Sequence, residues 1–202
     1  DSFFLYNRDM EPQNDIEDIR QYLNWDWGVA IEHQALYRLY FSDDTWKNHS
    51  PKLINELQQL LLDALDLMRE LHDADDFEDK SFIHMQSISP HRQNSELHGW
   101  TLLIELLRDA WQEINVSNVE QAAYIAQSWY NIPYPTFKRL AFFAASKNGK
   151  ISSQQWVDWL LQDNAWWLWH IGVQREKFRL LVERGMSLTG DIQEKLENAI
   201  LA

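Results

Sequence analysis

From Ser50 onward the chain places Leu53, Leu57, Leu60, Leu61, Ala64, Met68 and Leu71 mostly three or four residues apart. That spacing gathers them on one face of an α-helix and would scatter them over both faces of a strand. Ser50 reads as the N-cap and Pro51 as the first helical residue, where its missing N–H forfeits no hydrogen bond. A stripe this long must be covered, so further helices are expected around it. Six glycines and five prolines among 202 residues are too few for the tight turns of a hairpin-rich β architecture.

The same period recurs along the chain. Ile16, Ile19, Tyr22 and Leu23 follow Pro12, and Val29, Leu36, Leu39 and Tyr40 share a face within Trp25–Phe41. Ser95 is expected to cap a stripe of Trp100, Leu103, Leu107, Ala110, Trp111 and Ile114; Ser117 and Glu120 form a capping box before Ala122, Ala126 and Trp129. Phe137, Leu140, Ala141 and Ala144 mark a helix over Thr136–Ala145, and Ser152 or Ser153 caps the next, which carries Trp156, Trp159 and Leu160. Asn164 opens a further element that Gly185 closes as a left-handed cap, and Thr189 caps Ile192, Leu196, Ala199 and Ile200. The expected fold is all-α, about nine or ten helices stacked as αα hairpins, helical-repeat-like or as an irregular bundle. Residues 1–80 read as a helical subdomain, 81–94 as a loop and 95–202 as a helix-pair stack, alternatively as one continuous domain.

Charge narrows the partners. Thirty-one acidic against eighteen basic side chains give −13 at neutral pH, which repels phosphate backbones and anionic bilayers and leaves no nucleic-acid or membrane partner expected. No run approaches the ~20 apolar residues of a membrane span, and no basic-then-apolar signal opens the chain, so a cytoplasmic location is the default. Asp63, Asp66, Glu70, Asp73, Asp75, Asp76, Glu78 and Asp79 surround Arg69. Carboxylates oppose the dipole at a helix C-terminus, so the Leu-rich helix is expected to end near His72 and to lead into a solvated loop as far as Asn94.

Chemistry-bearing motifs are sparse. Cysteine is absent, which removes disulfides, thiolate zinc sites and thiol nucleophiles together. There is no Gly-rich phosphate loop and no Gly-x-Ser-x-Gly elbow. The loop at Gly149 offers Ala144, Ser146, Asn148 and Gln155 at the calcium-ligand positions, none a carboxylate. His84, His91 and His98 recur every seven residues without a geometry that would make them converge. His72-Asp73 resembles the paired ligands of His-Asp phosphohydrolases, with His33 or His49 and Asp109 to complete the set, and this gives an alternative, enzymatic reading. The main reading expects no cofactor, no metal and no catalysis in this chain.

Tryptophan is the loudest signal. Five of eleven, Trp156, Trp159, Trp166, Trp167 and Trp169, fall within fourteen positions, more than one helix stripe can carry. Some are therefore expected to anchor a protein partner through a large apolar area with one indole donor. Arg139 lies among apolar neighbours and is read as a carboxylate clamp, across a hairpin or to a partner.

Several segments carry a resemblance. Ser89-Pro90-His91 with Gln93-Asn94 and Gly99-Trp100, then Tyr134-Pro135-Thr136-Phe137-Lys138-Arg139-Leu140, then Trp166 with Leu168-Trp169, Arg175-Glu176 and Leu180-Leu181, and Ile200-Leu201-Ala202 resemble the C-terminal helical region of large bacterial antiphage defence proteins. In those proteins an effector, often a sirtuin-like NAD hydrolase, precedes a signal-transduction ATPase or a helical sensor. The resemblance implies a sensing or scaffolding role: binding a phage protein or other domains of the parent, or a homo-oligomer, and releasing the effector. The start at Asp1 without Met and the stop at Ala202 inside a helical pattern read as a piece of such a parent.

Overall fold

The computed structural model describes residues 44–94 and 99–201, and over these the chain is all-α. The helices expected within Asp15–Phe41 and the Ser95 cap lie outside the described residues. Eight helices follow in order: α1 (Asp44–His49), α2 (Ile54–Glu70), α3 (Thr101–Ser117), α4 (Val119–Asn131), α5 (Pro135–Lys147), α6 (Ser153–Trp169), α7 (Gln174–Arg184) and α8 (Gly190–Leu201). A single helical turn, Ser81–His84, and short 3₁₀ turns lie between them. The count is slightly below the nine or ten expected of the whole chain.

Helices adjacent in sequence pair in space. α2 packs on α3, α3 on α4 and α4 on α5, after which α5 packs on α7, α7 on α6 and α6 on α8. One hydrophobic cluster runs through them from Ile54 to Leu196, so the segments on either side of 81–94 share a core. α5 is its centre. Every residue from Pro135 to Ser146 is buried, as befits a helix with apolar side chains all the way round.

Local chemistry sets the helix ends, in places differently from the sequence expectation. Ser50 does not cap: its hydroxyl is buried without a hydrogen bond, in a 3₁₀ turn that leads into α2. α2 ends where expected, with His72 at φ 61°. His72 N–H donates to Arg69 O (3.0 Å) and Asp73 N–H to Met68 O (2.8 Å), the paired bonds of a left-handed helix terminus. Ser117 finishes α3, and Asn118 caps α4 by accepting from Gln121 N (3.1 Å). Ser152 caps α6. Gly185 has φ −61°, so it continues α7 into a 3₁₀ turn and is no left-handed cap. The end of α5 is closed by Arg184, whose Nη1 donates to Ala145 O (2.8 Å), Asn148 O (3.3 Å) and Ile151 O (2.8 Å).

The segment from Leu71 to Asn94, expected as a solvated loop, is instead a strap built into the core. Ala74, Asp79, Ser81, Met85, Ser87, Ile88 and Asn94 are buried. Its acidic composition concealed this, because the decisive carboxylate is a buried cap. Asp79 accepts from Ser81 N (2.9 Å), Thr136 N (2.7 Å) and Thr136 Oγ1 (2.8 Å), satisfying an N-terminal amide of α5 where a negative charge is favoured.

Candidate interaction surface

Arg139 holds the strap from the other side. Its Nε donates to Glu176 Oε2 (3.1 Å), Nη1 to Ser81 Oγ (3.0 Å) and Nη2 to Met85 O (2.6 Å). Glu176 Oε1 accepts from Ile88 N (2.7 Å), and Arg108 Nη1 donates to Ile88 O (2.9 Å). Arg139 and Glu176 are both sealed from solvent, so the expectation that Arg139 could reach a partner protein is corrected: its carboxylate clamp spans α5 and α7. The signal was legible. In Phe137-Lys138-Arg139-Leu140-Ala141-Phe142-Phe143 no apolar-free face remains for a charge to leave by, so both cations had to be satisfied inside.

Lys138 is the second such cation. Its Nζ donates to Tyr130 O and lies 4.4 Å from the Tyr130 ring centroid and 5.5 Å from that of Trp167. Burial pushes its pKa down to about 8, with Asp163 and Asp76 opposing. Lys177, on α7, donates to Leu168 O (2.6 Å) and is likewise lowered by burial.

The tryptophans divide at a break in α6. Gln162 is extended, and Asp163, Asn164 and Ala165 follow at φ 54°, 58° and 62°. Asp and Asn tolerate this left-handed region, whereas Ala rarely enters it. The break falls where a new element was expected to open, and it re-aims the last turn, Trp166–Trp169. Before it, Trp156 and Trp159 face inward; Trp159 stacks on Tyr130 at 4.8 Å and 7°, and Tyr130 Oη donates to Trp159 O (2.8 Å). Beyond it, Trp167 turns into the core against His170 and Lys138. The expectation that Trp156, Trp159 and Trp167 offer themselves to a partner is therefore corrected: core space between helices takes them.

Trp166 and Trp169 remain outside, 43% and 63% exposed. Trp166 meets Phe77 edge-on at 5.4 Å and His170 at 5.5 Å. Trp169 lines a groove of about 380 Å³ with Leu168, Ile171, Phe178, Leu181 and Ile200, between the end of α6, α7 and α8. Sequence reading missed the α7 contribution. Ile171, Phe178 and Val182, at steps of seven and four, are 67%, 51% and 78% exposed, while Val173, Glu176, Lys177 and Leu180 cover the core. α7 and the 3₁₀ turn that leads into it thus carry two apolar stripes, only one of them buried.

The remaining candidates stay apart. His72 is exposed at the end of α2, Asp73 pairs with Lys80 (2.5 Å), and Asp109 accepts from Arg108 Nε (2.5 Å). Among the described residues no three His, Asp or Glu side chains gather where they could hold a metal. His33 and His98 lie outside the described residues. No helix of the described residues is long and apolar enough to cross a membrane. Searches against protein-family models, characterised proteins and solved structures return no match, so the likeness to antiphage defence proteins rests on the sequence segments alone.

Proposed function

We propose that this chain is a non-catalytic helical protein-recognition module, a sensor or scaffold of a larger bacterial antiviral defence protein that works in the cytoplasm. The observation that carries the reading is the second apolar stripe of α7 with Trp169 beside it. Surface helices of a monomer ordinarily bury their one apolar stripe, and an open groove lined by Trp, Phe and Ile is where interface energy concentrates. The resemblance of the Tyr134–Leu140 and Trp166–Trp169 segments supplies the defence context. The absence of a metal-gathering cluster among the described residues gives the phosphohydrolase alternative no support from geometry.

Calorimetric titration of candidate phage proteins, and of other domains of the parent, tests the proposal. Trp169→Ala is expected to weaken binding at least about tenfold, as interface tryptophans do, and Trp166→Ala by less. Unchanged affinity in both variants contradicts it. The same groove could bind a second copy, making the chain a self-association module. Light scattering separates the two readings, since only self-association gives a mass that rises with concentration.

A further inference from the structure

The groove beside Trp169 holds one charged side chain, Lys177, and that side chain indicates what a partner must bring; the inference rests on the docking reading above. Lys177 is 4% exposed and lines the groove from α7. Its Nζ donates to Leu168 O (2.6 Å) and lies 4.8 Å from the Phe178 ring centroid, and Leu168 and Phe178 line the groove too. An ammonium has three N–H donors, and among the described residues Leu168 O is the acceptor that meets them. Burial lowers the pKa of Lys177, and no carboxylate opposes that shift. Glu176, the preceding residue, is taken by Arg139 and by Ile88 N, and no carboxylate lines the groove. A cation held among apolar side chains without a counter-charge is costly, so an anionic acceptor that arrives with the partner offsets a penalty the free chain carries.

The rim has the same sign. At about 100° per residue, the open positions Phe178 and Val182 of α7 lie between Lys177 on one flank and Arg175 and Arg179 on the other. Arg175 contacts Gln86, Gln93 and His91, none a carboxylate, and Arg179 forms no hydrogen bond or ion pair with the described residues. The exposed carboxylate of α7, Glu183, pairs with Lys147. On α8, Glu197 accepts from Gln193 Nε2 (2.7 Å). The stripe also runs past the groove. Val182, 78% exposed, is not one of its walls, so a single acyl chain filling the groove would leave Val182 open, whereas a protein segment can cover both.

We propose that the groove takes an apolar segment of a partner protein that carries a carboxylate, which bonds the Lys177 ammonium while neighbouring apolar side chains cover Trp169, Phe178 and Val182. Arg175 and Arg179 attract further acidic residues at the rim. The net charge of −13 opposes an acidic partner at long range, but physiological salt screens that repulsion beyond about 8 Å. The contact at Lys177 is short and shielded from water, where a charge-assisted hydrogen bond is strongest.

Selection of displayed random peptides on the full chain tests this without presuming a sequence. Peptides lost on Phe178→Ala are expected to share Asp or Glu beside Leu, Ile, Phe or Trp. The tightest of them, labelled for fluorescence anisotropy, should bind at least about tenfold more weakly when its carboxylate is replaced by the amide, as for a close desolvated charge pair. Lys177→Met keeps the unbranched apolar stem; it should weaken the acidic peptide by a similar factor and leave the amide peptide unchanged. Arg179→Gln should cost about twofold and flatten the salt dependence.

Equal binding of the acidic and amide peptides to the unaltered chain would overturn the carboxylate and leave the docking reading standing, and this comparison decides the matter even where Lys177→Met fails to fold. A loss shared equally by both peptides in Lys177→Met would overturn Lys177 as the counter-charge. No enrichment, or enriched peptides indifferent to both Phe178→Ala and Trp169→Ala, would overturn the groove and the docking reading with it. Dodecanoate binding more tightly than the best peptide, or a dimer lost in Phe178→Ala, would reassign the surface to a fatty acid or to a second copy.

Discussion

The side chains that do the most are charged and inside. Arg139 joins α5, α7 and the strap through three nitrogens and three acceptors. Removing it leaves the buried Glu176 side chain without its ion-pair partner, a loss that typically costs about 3–5 kcal/mol. Arg139→Ala is therefore expected to lower the urea midpoint sharply. Arg139→Lys should restore little, since a single ammonium cannot reproduce the fork; full rescue by lysine would contradict the assignment. His170 makes a second residue-scale prediction. Its Nδ1 accepts from Gly172 N (3.1 Å), which requires that nitrogen to be unprotonated, and burial lowers its pKa from 6.5, with Glu78 and Asp79 opposing and Lys177 adding to the shift. The unfolded chain takes up the proton first as pH falls, so this contribution is complete above about pH 6.5 and is lost as pH drops toward the depressed folded value. Urea midpoints measured across that window should decline with pH in the wild type. His170→Asn, which can still accept from Gly172, should decline less, and an identical slope would rule His170 out as the source. The clamp at Arg139 was readable in kind, but not its partners, and the role of His170 was not readable at all. Residue type and spacing reveal that a charge lies in an apolar run, but not which backbone carbonyl or carboxylate, dozens of residues away, will meet it.

Among the helices, the sequence reading did best where periodicity alone decides. The α5 and α6 cores and the end of α2 at His72 follow from spacing and caps; the α2 stripe holds at Leu57, Leu61 and Met68, while Leu53 and Leu60 are exposed and Ile54 and Leu65 complete the buried face. It did worst at the strap, where acidic composition suggested solvent. Asp79, alone among those carboxylates, is sequestered as a cap for α5, a role visible only once Thr136 is brought beside it. The left-handed positions give element-scale tests. His72 adopts φ 61° at the α2 terminus and Ala165 adopts φ 62° in the α6 break, conformations that cost a side-chain-bearing residue about 1 kcal/mol or more. His72→Gly and Ala165→Gly should each raise the melting temperature, a gain reduced by the larger backbone entropy of glycine in the unfolded chain. A clear loss in Ala165→Gly would contradict the break that divides the tryptophans. Arg184→Ala should have the opposite effect. It removes the donor shared by Ala145 O at the end of α5 and by Asn148 O and Ile151 O in the turn that follows, and is expected to destabilise by about 1–3 kcal/mol in chemical unfolding.

Over the whole molecule, composition predicted the all-α class and the excess of negative charge but not where the apolar surplus would emerge. Five clustered tryptophans pointed to a face for a partner, yet three of them fill space between helices, and the open stripe is completed by Ile171, Phe178 and Val182. Those positions were hidden because α7 also carries a buried stripe, and two interleaved periods in one short helix read as neither. At this scale a net charge of −13 adds self-repulsion to the folded state, so moderate salt should raise the melting temperature; a melting temperature that falls with moderate salt would count against that electrostatic picture. The central claim is that Trp169 and Phe178 form a face made to be covered. Hydroxyl-radical footprinting, free and saturated with a protein that binds in the calorimetric titration, reads this residue by residue. The account predicts rapid oxidation of Trp169 and Phe178 in the free chain and protection of both when the partner is bound, with Trp156, Trp159 and Trp167 silent in either state. Oxidation of the three interior rings in the free chain, or undiminished labelling of Trp169 and Phe178 under saturating partner, would contradict it.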